Sequence, residues 1–165
     1  MSAQLRKAGV AAGVVGGTIV AGMGMAVKSA AAFEAGMREV NSMMGLGQAE
    51  FEDFSAQVLK MSSTLGVDAV GATKALYQAI SAGVPKENAI EFLTIASKAA
   101  IAGVTDTETA VDGLTTVINA FKMNPDDAGK VADIMFQTVK GGKTTFEELS
   151  ASLFNVAPIA KASGV

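Results

Sequence analysis

The sequence predicts an all-α protein, with one long N-terminal helix followed by an array or bundle of about six short helices joined by glycine-containing turns. Apolar residues recur at helical spacing along most of the chain, and strand-like alternation of useful length is missing between these patterns. Turns fall near Gly83, Gly103, Met123 and Gly142, at intervals of about twenty residues, half of a typical helix-pair repeat.

Composition argues against most enzymes. The chain has 165 residues, 50% of them apolar, which is enough for one domain with a sizeable core. It contains neither His nor Cys, so it has no thiol nucleophile and none of the usual nitrogen or sulfur metal ligands. We therefore expect no enzyme and no cofactor. The net charge of −3, without a dense Lys/Arg patch, also argues against sequence-specific nucleic-acid binding.

An uncharged apolar run, Ala8 to Val27, stands near the start of the chain. As a helix it would be about 30 Å long, enough to cross a hydrocarbon core. Small residues at helical spacing make one face suited to close helix packing, in a membrane or against other helices: Gly9, Gly13, Gly17 and Ala21. Membrane insertion and a tightly packed helix in an oligomeric bundle or tube lumen are equally favoured. A signal peptide is disfavoured, because the run continues into an amphipathic helix.

That amphipathic helix has one continuous apolar face, formed by Phe33, Met37, Val40 and Met44. Gly45 and Gly47 should end it. Residues 1–47 are thus predicted to form the apolar N-terminal helix with its amphipathic continuation, and residues 48–165 a helical core domain.

Within the core domain, each predicted helix has an apolar face. For the helix from about Gln48 to Leu65 the inward residues are Phe51, Phe54, Val58, Leu59 and Met61. For the next four they are Val70, Leu76, Ala79 and Ile80; then Ile90, Leu93, Ala96 and Ala100; then Ala110, Val111, Leu114, Val117, Ile118 and Phe121; then Ala128, Val131, Met135 and Val139. The last helix contributes Phe146, Leu149, Leu153 and Val156.

The helix ends are predicted from capping residues. Helix stops are expected at Gly66, Gly83 and Gly103, and an N-cap at Asp68. Further starts are expected from Pro85 in a first turn, from capping boxes Thr105 with Glu108 and Thr144 with Glu147, and from Asn124-Pro125. Pro158 should bend or break the last helix.

Two groups of residues superficially resemble chemical sites. The adjacent pairs Asp126-Asp127 and Glu147-Glu148 lie in predicted first turns, where the helix dipole accounts for them. The segment from Lys140 to Thr145 has glycines flanked by lysines, but no strand precedes it and the spacing is wrong for a phosphate loop.

The last residues resemble earlier turns that are each followed by a helix. Ser163-Gly164-Val165 matches Ala82-Gly83-Val84 and Ala102-Gly103-Val104. We therefore expect the sequence to be an N-terminal part of a longer polypeptide that continues beyond Val165.

An ordered set of positions resembles the core domain of phage tail tape measure proteins from about residue 30 to 165. The positions are Phe33, Glu34, Met37, Val40, Leu65, Gly66, Ala79, Ala82, Gly83, Ala96, Ala99, Phe121, Val131, Ala132, Asp133, Glu148, Leu149, Val156, Ala157, Pro158 and Gly164. Two departures are the short chain before the domain and Val84-Pro85 in place of a Ser or Thr cap.

The resemblance implies a virion structural protein inside the tail tube that sets tube length during assembly and assists genome ejection. Its implied partners are tail tube and tail-tip proteins, copies of itself and the host inner membrane. As one helix, 165 residues would reach only about 250 Å, so we expect the measuring stretch to lie outside this segment. Two alternatives stay open: a membrane-active or pore-forming helical protein, and an α-helical adaptor with an apolar groove.

Overall fold

The computed structural model describes residues 28–164. In that range it has seven α-helices and no strand, which confirms the all-α prediction. Helix α1 occupies residues 28–44, and the others are α2 (Gln48–Leu65), α3 (Ala69–Ser81), α4 (Ala89–Gly103), α5 (Thr107–Phe121), α6 (Ala128–Gly141) and α7 (Phe146–Ala162). A single 3-10 turn, Pro125–Asp127, precedes α6.

The predictions made for the run Ala8 to Val27, with its candidate positions Gly9, Gly13, Gly17 and Ala21, lie outside the described residues. The same holds for the full length of the N-terminal helix. Among residues 28–164, no helix is long and apolar enough to cross a membrane.

The chain divides into two compact units, Met1–Ala35 and Gly36–Val165. Only the helical residues 28–35 of the first unit are described, and the account below concerns the second. Met37 and Val40, each 1% exposed, belong to the core of the second unit. The expected domain boundary between residues 47 and 48 stays a prediction.

Helices two apart in the chain pack side by side. Helix α5 lies between α3 and α7, α4 lies between α2 and α6, and each of α3 and α5 also contacts α4. Because the connections are short, consecutive helices reverse direction and helices two apart run the same way. The second unit is therefore built as a two-layer array, with α3, α5 and α7 in one layer and α2, α4 and α6 in the other.

The array has a helix-pair repeat. The N-caps of α3, α5 and α7 are Asp68, Asp106 and Thr145, which are 38 and 39 residues apart. The eighth residue after each cap is a leucine that faces the interior. Leu76 and Leu114 are fully buried, and the third, Leu153, is half-buried. The spacing of the turns in the sequence thus reflects pairs of helices that occupy equivalent places.

Most of the predicted apolar faces are buried. The largest fully buried side chains include Phe92, Phe146, Met37, Leu76, Leu93 and Leu114. Two predictions of inward residues are wrong: Leu59 is 50% exposed and Val156 is 56% exposed. In α2 only the face around Val58 and Met61 meets the core, so Leu59, about 100° round the helix from Val58, points away from it.

All three predicted stops lie at helix ends, but only two of the glycines take the left-handed conformation. Gly66 and Gly83 follow their helices with φ of 70° and 96°, in the left-handed region where glycine is favoured. Gly103 is the last helical residue of α4, and Val104 takes the left-handed conformation with φ of 53°. The reason is packing, because a Cβ on Gly103 would lie 2.8 Å from Cβ of Phe146.

The prediction of glycine-containing turns also fails at one junction. Between α5 and α6 the left-handed residue is Lys122, with φ of 53°, and the connection contains no glycine. Asn124 then caps the 3-10 turn as predicted, since its side chain accepts a hydrogen bond from Asp126 N.

The cap at Asp68 is confirmed, but both predicted capping boxes lie one residue too early. For α5 the cap is Asp106, whose Oδ1 accepts from Thr109 N at 2.7 Å. For α7 it is Thr145, whose Oγ1 accepts from Glu148 N at 3.1 Å, while Glu148 Oε2 accepts from Thr145 N at 3.0 Å.

The prediction for Pro85 is wrong, and of the two outcomes predicted for Pro158 the break does not occur. Helix α4 begins only at Ala89, so Pro85 lies in the preceding turn, where its carbonyl accepts from Asn88 N. Pro158 does not break α7, which continues to Ala162.

Candidate functional surface

Several charged side chains of the second unit lie at helix ends and have partners there. Lys130 Nζ lies 2.6 Å from Asp127 Oδ1, and this pairing lowers the pKa of the Asp127 carboxyl and raises the pKa of Lys130. Asp126 accepts a hydrogen bond from the Asn88 amide, which ties the start of α6 to the turn before α4. The acidic pair predicted to be structural therefore has structural partners.

The second acidic pair belongs to the cap of α7. The pKa of Glu148 is lowered chiefly because its carboxylate accepts a hydrogen bond from the backbone N–H of Thr145, and also from the Thr144 hydroxyl. Gly141 is the last residue of α6. The segment from Lys140 to Thr145 thus closes one helix and opens the next, as the sequence suggested.

Within residues 28–164, no group of three or more Asp and Glu side chains is placed to hold a metal ion. A cavity of about 420 Å³ lies between the starts of α3 and α5, and its lining includes Asp68, Asp106, Glu108 and Lys74. Two of these residues, Asp68 and Asp106, are already used as N-caps.

The largest accumulation of exposed apolar side chains in the described range lies on the C-terminal half of α7. Phe154 is 66% exposed, Val156 is 56% exposed and Ile159 is 67% exposed. Val156 and Ile159 lie on one side of the helix, and we call these two residues the α7 apolar surface. Phe154 lies about 160° round the helix from Val156, on the other flank. Single exposed apolar residues are ordinary, but two large aliphatic side chains next to each other on one side of a helix indicate a contact surface.

Two contacts hold this part of α7 on α5. Gly113 of α5 leaves room for Ser150, and the Lys161 Nζ lies 6.0 Å from the centroid of the Phe121 ring. The opposite side of α7 is buried through Phe146, Ser150 and Ala157. The α7 apolar surface is therefore presented by a helix fixed at both ends.

The family-motif positions predicted from the sequence are distributed over the fold. Met37 and Val40 are core residues, Phe33, Phe121 and Leu149 are half-buried, and Glu34, Asp133 and Pro158 are exposed. Gly66, Gly83 and Gly164 have positive φ. The functional role of all these positions stays a prediction.

Sequence reasoning missed the α7 apolar surface. Val156 was assigned to the interior, and Phe154 and Ile159 were assigned to no face. Phe154 and Ile159 fall outside the stripe that begins at Phe146, which was the available signal for them, whereas Val156 lies within that stripe.

Comparison with known proteins gives two similarities. The model of a family described as phage-related minor tail protein matches residues 55–165. A probable tape measure protein of Clostridium phage phiCD119 is 36% identical over 167 aligned residues, which cover 96% of this chain and 18% of that protein. The chain thus spans about a fifth of the length of this relative. No solved structure matches the chain.

Proposed function

Because this chain belongs to the phage-related minor tail protein family, we propose that it is a folded helical segment of a tape measure protein and contributes to tail assembly. The similarity of nearly the whole chain to a probable tape measure protein supports this function. Under the proposal the segment resides in the virion tail, inside the tube. There it contacts tail tube proteins, tail-tip proteins and further copies of itself.

We propose that this segment anchors the protein and that other parts of the longer protein set tail length. The observation that supports this assignment is the shortness of the helices. The longest helix with both ends described is α2, with 18 residues, which corresponds to about 27 Å. Helices of this length fold back on one another in two layers, so residues 36–164 form a compact body and not an extended rod. We assign the measuring role to other parts of the longer protein and an anchoring role to this segment.

The test is a pair of in-frame changes in a phage that carries this protein. Removing about 60 residues from helical chain downstream of residue 165 should shorten the tail by about 90 Å, since a helix rises about 1.5 Å per residue. Leu114→Asp, which places a carboxylate in the core of this segment, should reduce the number of assembled tails without shortening those that form. Tail length and number are measured by electron microscopy of lysates.

Two results would contradict the proposal. If tail length is unchanged after the downstream deletion, the downstream chain does not set tail length. Circular dichroism would first show that the Leu114→Asp chain has lost its fold. If tails still assemble in normal number, the folded segment has no anchoring role. Leu59→Asp serves as the matched control, because the Leu59 side chain is already 50% exposed.

The alternative function is membrane activity, which is favoured by the run Ala8 to Val27 and would also serve genome ejection. Within residues 28–164 no helix is long and apolar enough to span a bilayer, and under this alternative the run Ala8 to Val27 is the segment that binds the membrane. Flotation with liposomes of the whole chain, compared with a chain lacking residues 1–27, separates the two functions. Equal flotation of both chains would refute a role for the apolar run.

A further inference from the structure

We propose that Ser152, Val156 and Ile159 of α7 form the docking face for one more helix of the same polypeptide. That helix is supplied by the chain that follows residue 165 in the longer protein, and it packs beside α7 as α7 packs beside α5. The inference goes beyond the proposed function, because it concerns how the array continues and holds whatever the protein does.

The first support is the seventh position after each N-cap. It is Ala75 in α3 and Gly113 in α5, both buried, whereas Ser152 in α7 is exposed. A Cβ on Gly113 would lie 2.9 Å from Ser150 Cβ and 3.0 Å from Met135 Cε, so this face of α5 is the one that meets α7. The equivalent face of α7 has no helix on it in the described part of the chain.

Positions one and two turns further along show the same change. At the eleventh position Ala79 is fully buried and Val117 is half-buried, but Val156 is 56% exposed. At the fourteenth position Ala120 is half-buried and Ile159 is 67% exposed. The exposed residues of α7 are thus apolar residues at positions that a neighbouring helix covers in α5.

The occupant follows from two observations. The outer face of a terminal repeat in a helical array must be polar if it is to remain in water, and two large aliphatic side chains here do not meet that requirement. The relative that matches nearly this whole chain is several times longer than the match, so chain is available to add further helices. A further helix at the next place in the repeat would pack against α7 as α7 packs against α5.

The experiment uses the absence of cysteine from the sequence, which lets a single introduced thiol report on one position. Ser152→Cys is compared with the matched control Ala151→Cys, in the 165-residue chain and in one extended along its natural reading frame by about forty residues, one helix pair. Position 151 is exposed, as are its equivalents Lys74 and Asp112, so no cover is expected there. The rate of alkylation by iodoacetamide is measured.

We expect both thiols to react at similar rates in the 165-residue chain. In the extended chain, the alkylation rate of Ser152→Cys should fall to about one tenth or below. The rate of Ala151→Cys should be the same in both chains. Equal rates for Ser152→Cys in both chains would overturn the inference, as would a reading frame that ends at residue 165. Slowing in the 165-residue chain that grows with protein concentration would assign the face to a second copy, and would also overturn it.

A second measurement keeps the inference testable if a cysteine variant perturbs the fold. Val156→Asp should lower the urea midpoint of the extended chain while leaving that of the 165-residue chain unchanged, because only the extended chain buries this side chain. An equal effect in both chains would contradict the docking face. Ala75→Cys, at a position covered in either chain, should stay protected and reports that the array is intact.

Discussion

The contact between α5 and α7 at Gly113 allows a prediction against the usual helix preference. In an exposed helix, Gly→Ala stabilises by up to about 1 kcal/mol. At Gly113 the new Cβ would lie 2.9 Å from Ser150 Cβ and 3.0 Å from Met135 Cε, closer than packed carbons tolerate. Because a Cβ atom cannot move without its helix, α5 and α7 must separate.

Overpacking of this kind destabilises by about 1–3 kcal/mol, which exceeds the gain in helix propensity. We therefore expect Gly113→Ala to lower the free energy of unfolding by about 1 kcal/mol net. With a urea slope of about 2 kcal/mol per molar, the midpoint should fall by roughly 0.5 M. The assay is urea unfolding of the 165-residue chain, followed by circular dichroism at a helix band.

Two further variants make the prediction specific. Gly129→Ala in α6, where the new Cβ would meet nothing within 4 Å, should leave stability unchanged or raise it. Ser150→Gly combined with Gly113→Ala moves the missing side chain to the partner helix, so the double variant should be more stable than the two single effects predict. A Gly113→Ala chain as stable as the original, or strict additivity in the double variant, would refute the close contact.

Three other predictions follow from the caps and the core. Thr145→Ala should cost about 0.5–2 kcal/mol of stability in chemical unfolding, and Thr144→Ala clearly less; the reverse order would place the cap one residue earlier. Because the pKa of Glu148 is lowered in the folded state, its contribution is present above its unfolded pKa and lost as pH falls through the folded pKa. Glu148→Gln should therefore flatten this part of the stability profile, and an unaltered slope in acid titrations of unfolding would contradict it. Leu114→Ala should destabilise by about 2–5 kcal/mol, whereas Ile134→Ala should change stability little because Ile134 is 63% exposed. Both effects are measured from thermal and urea midpoints, and equal effects would contradict the placement of Leu114 in the core.

Helix existence and most buried faces could be predicted from the sequence because they depend on local periodicity. The eighth-position leucines, Leu76 and Leu114, lie in the middle of apolar stripes and are fully buried. The cap of α7 was less determined, because the residues from Thr144 to Glu148 contain two overlapping Thr-x-x-Glu patterns. The register was decided by Phe146, which is 1% exposed and enters the core as the first residue of the helix.

The α7 apolar surface could not be assigned by periodicity alone. Val156 lies about 80° round the helix from Phe146, at the edge of the apolar stripe. It therefore matches the sequence pattern, but it lies outside the side of α7 that is buried through Phe146, Ser150 and Ala157. Whether such a flanking residue is covered depends on which helix lies next to it. A pattern within one helix carries no information about that neighbour.

The end of α4 has a consequence for the order of folding. Locally, Gly103 is the better left-handed residue, since a β-branched side chain such as that of Val104 is strongly disfavoured at positive φ. The finished fold imposes the opposite choice, because Gly103 is needed in the helix where Phe146 approaches. Local preference and tertiary contact are in conflict here, a small point of frustration on the folding landscape. Before α7 arrives, α4 should therefore end one residue earlier, and docking of α7 should wind its last residue into place.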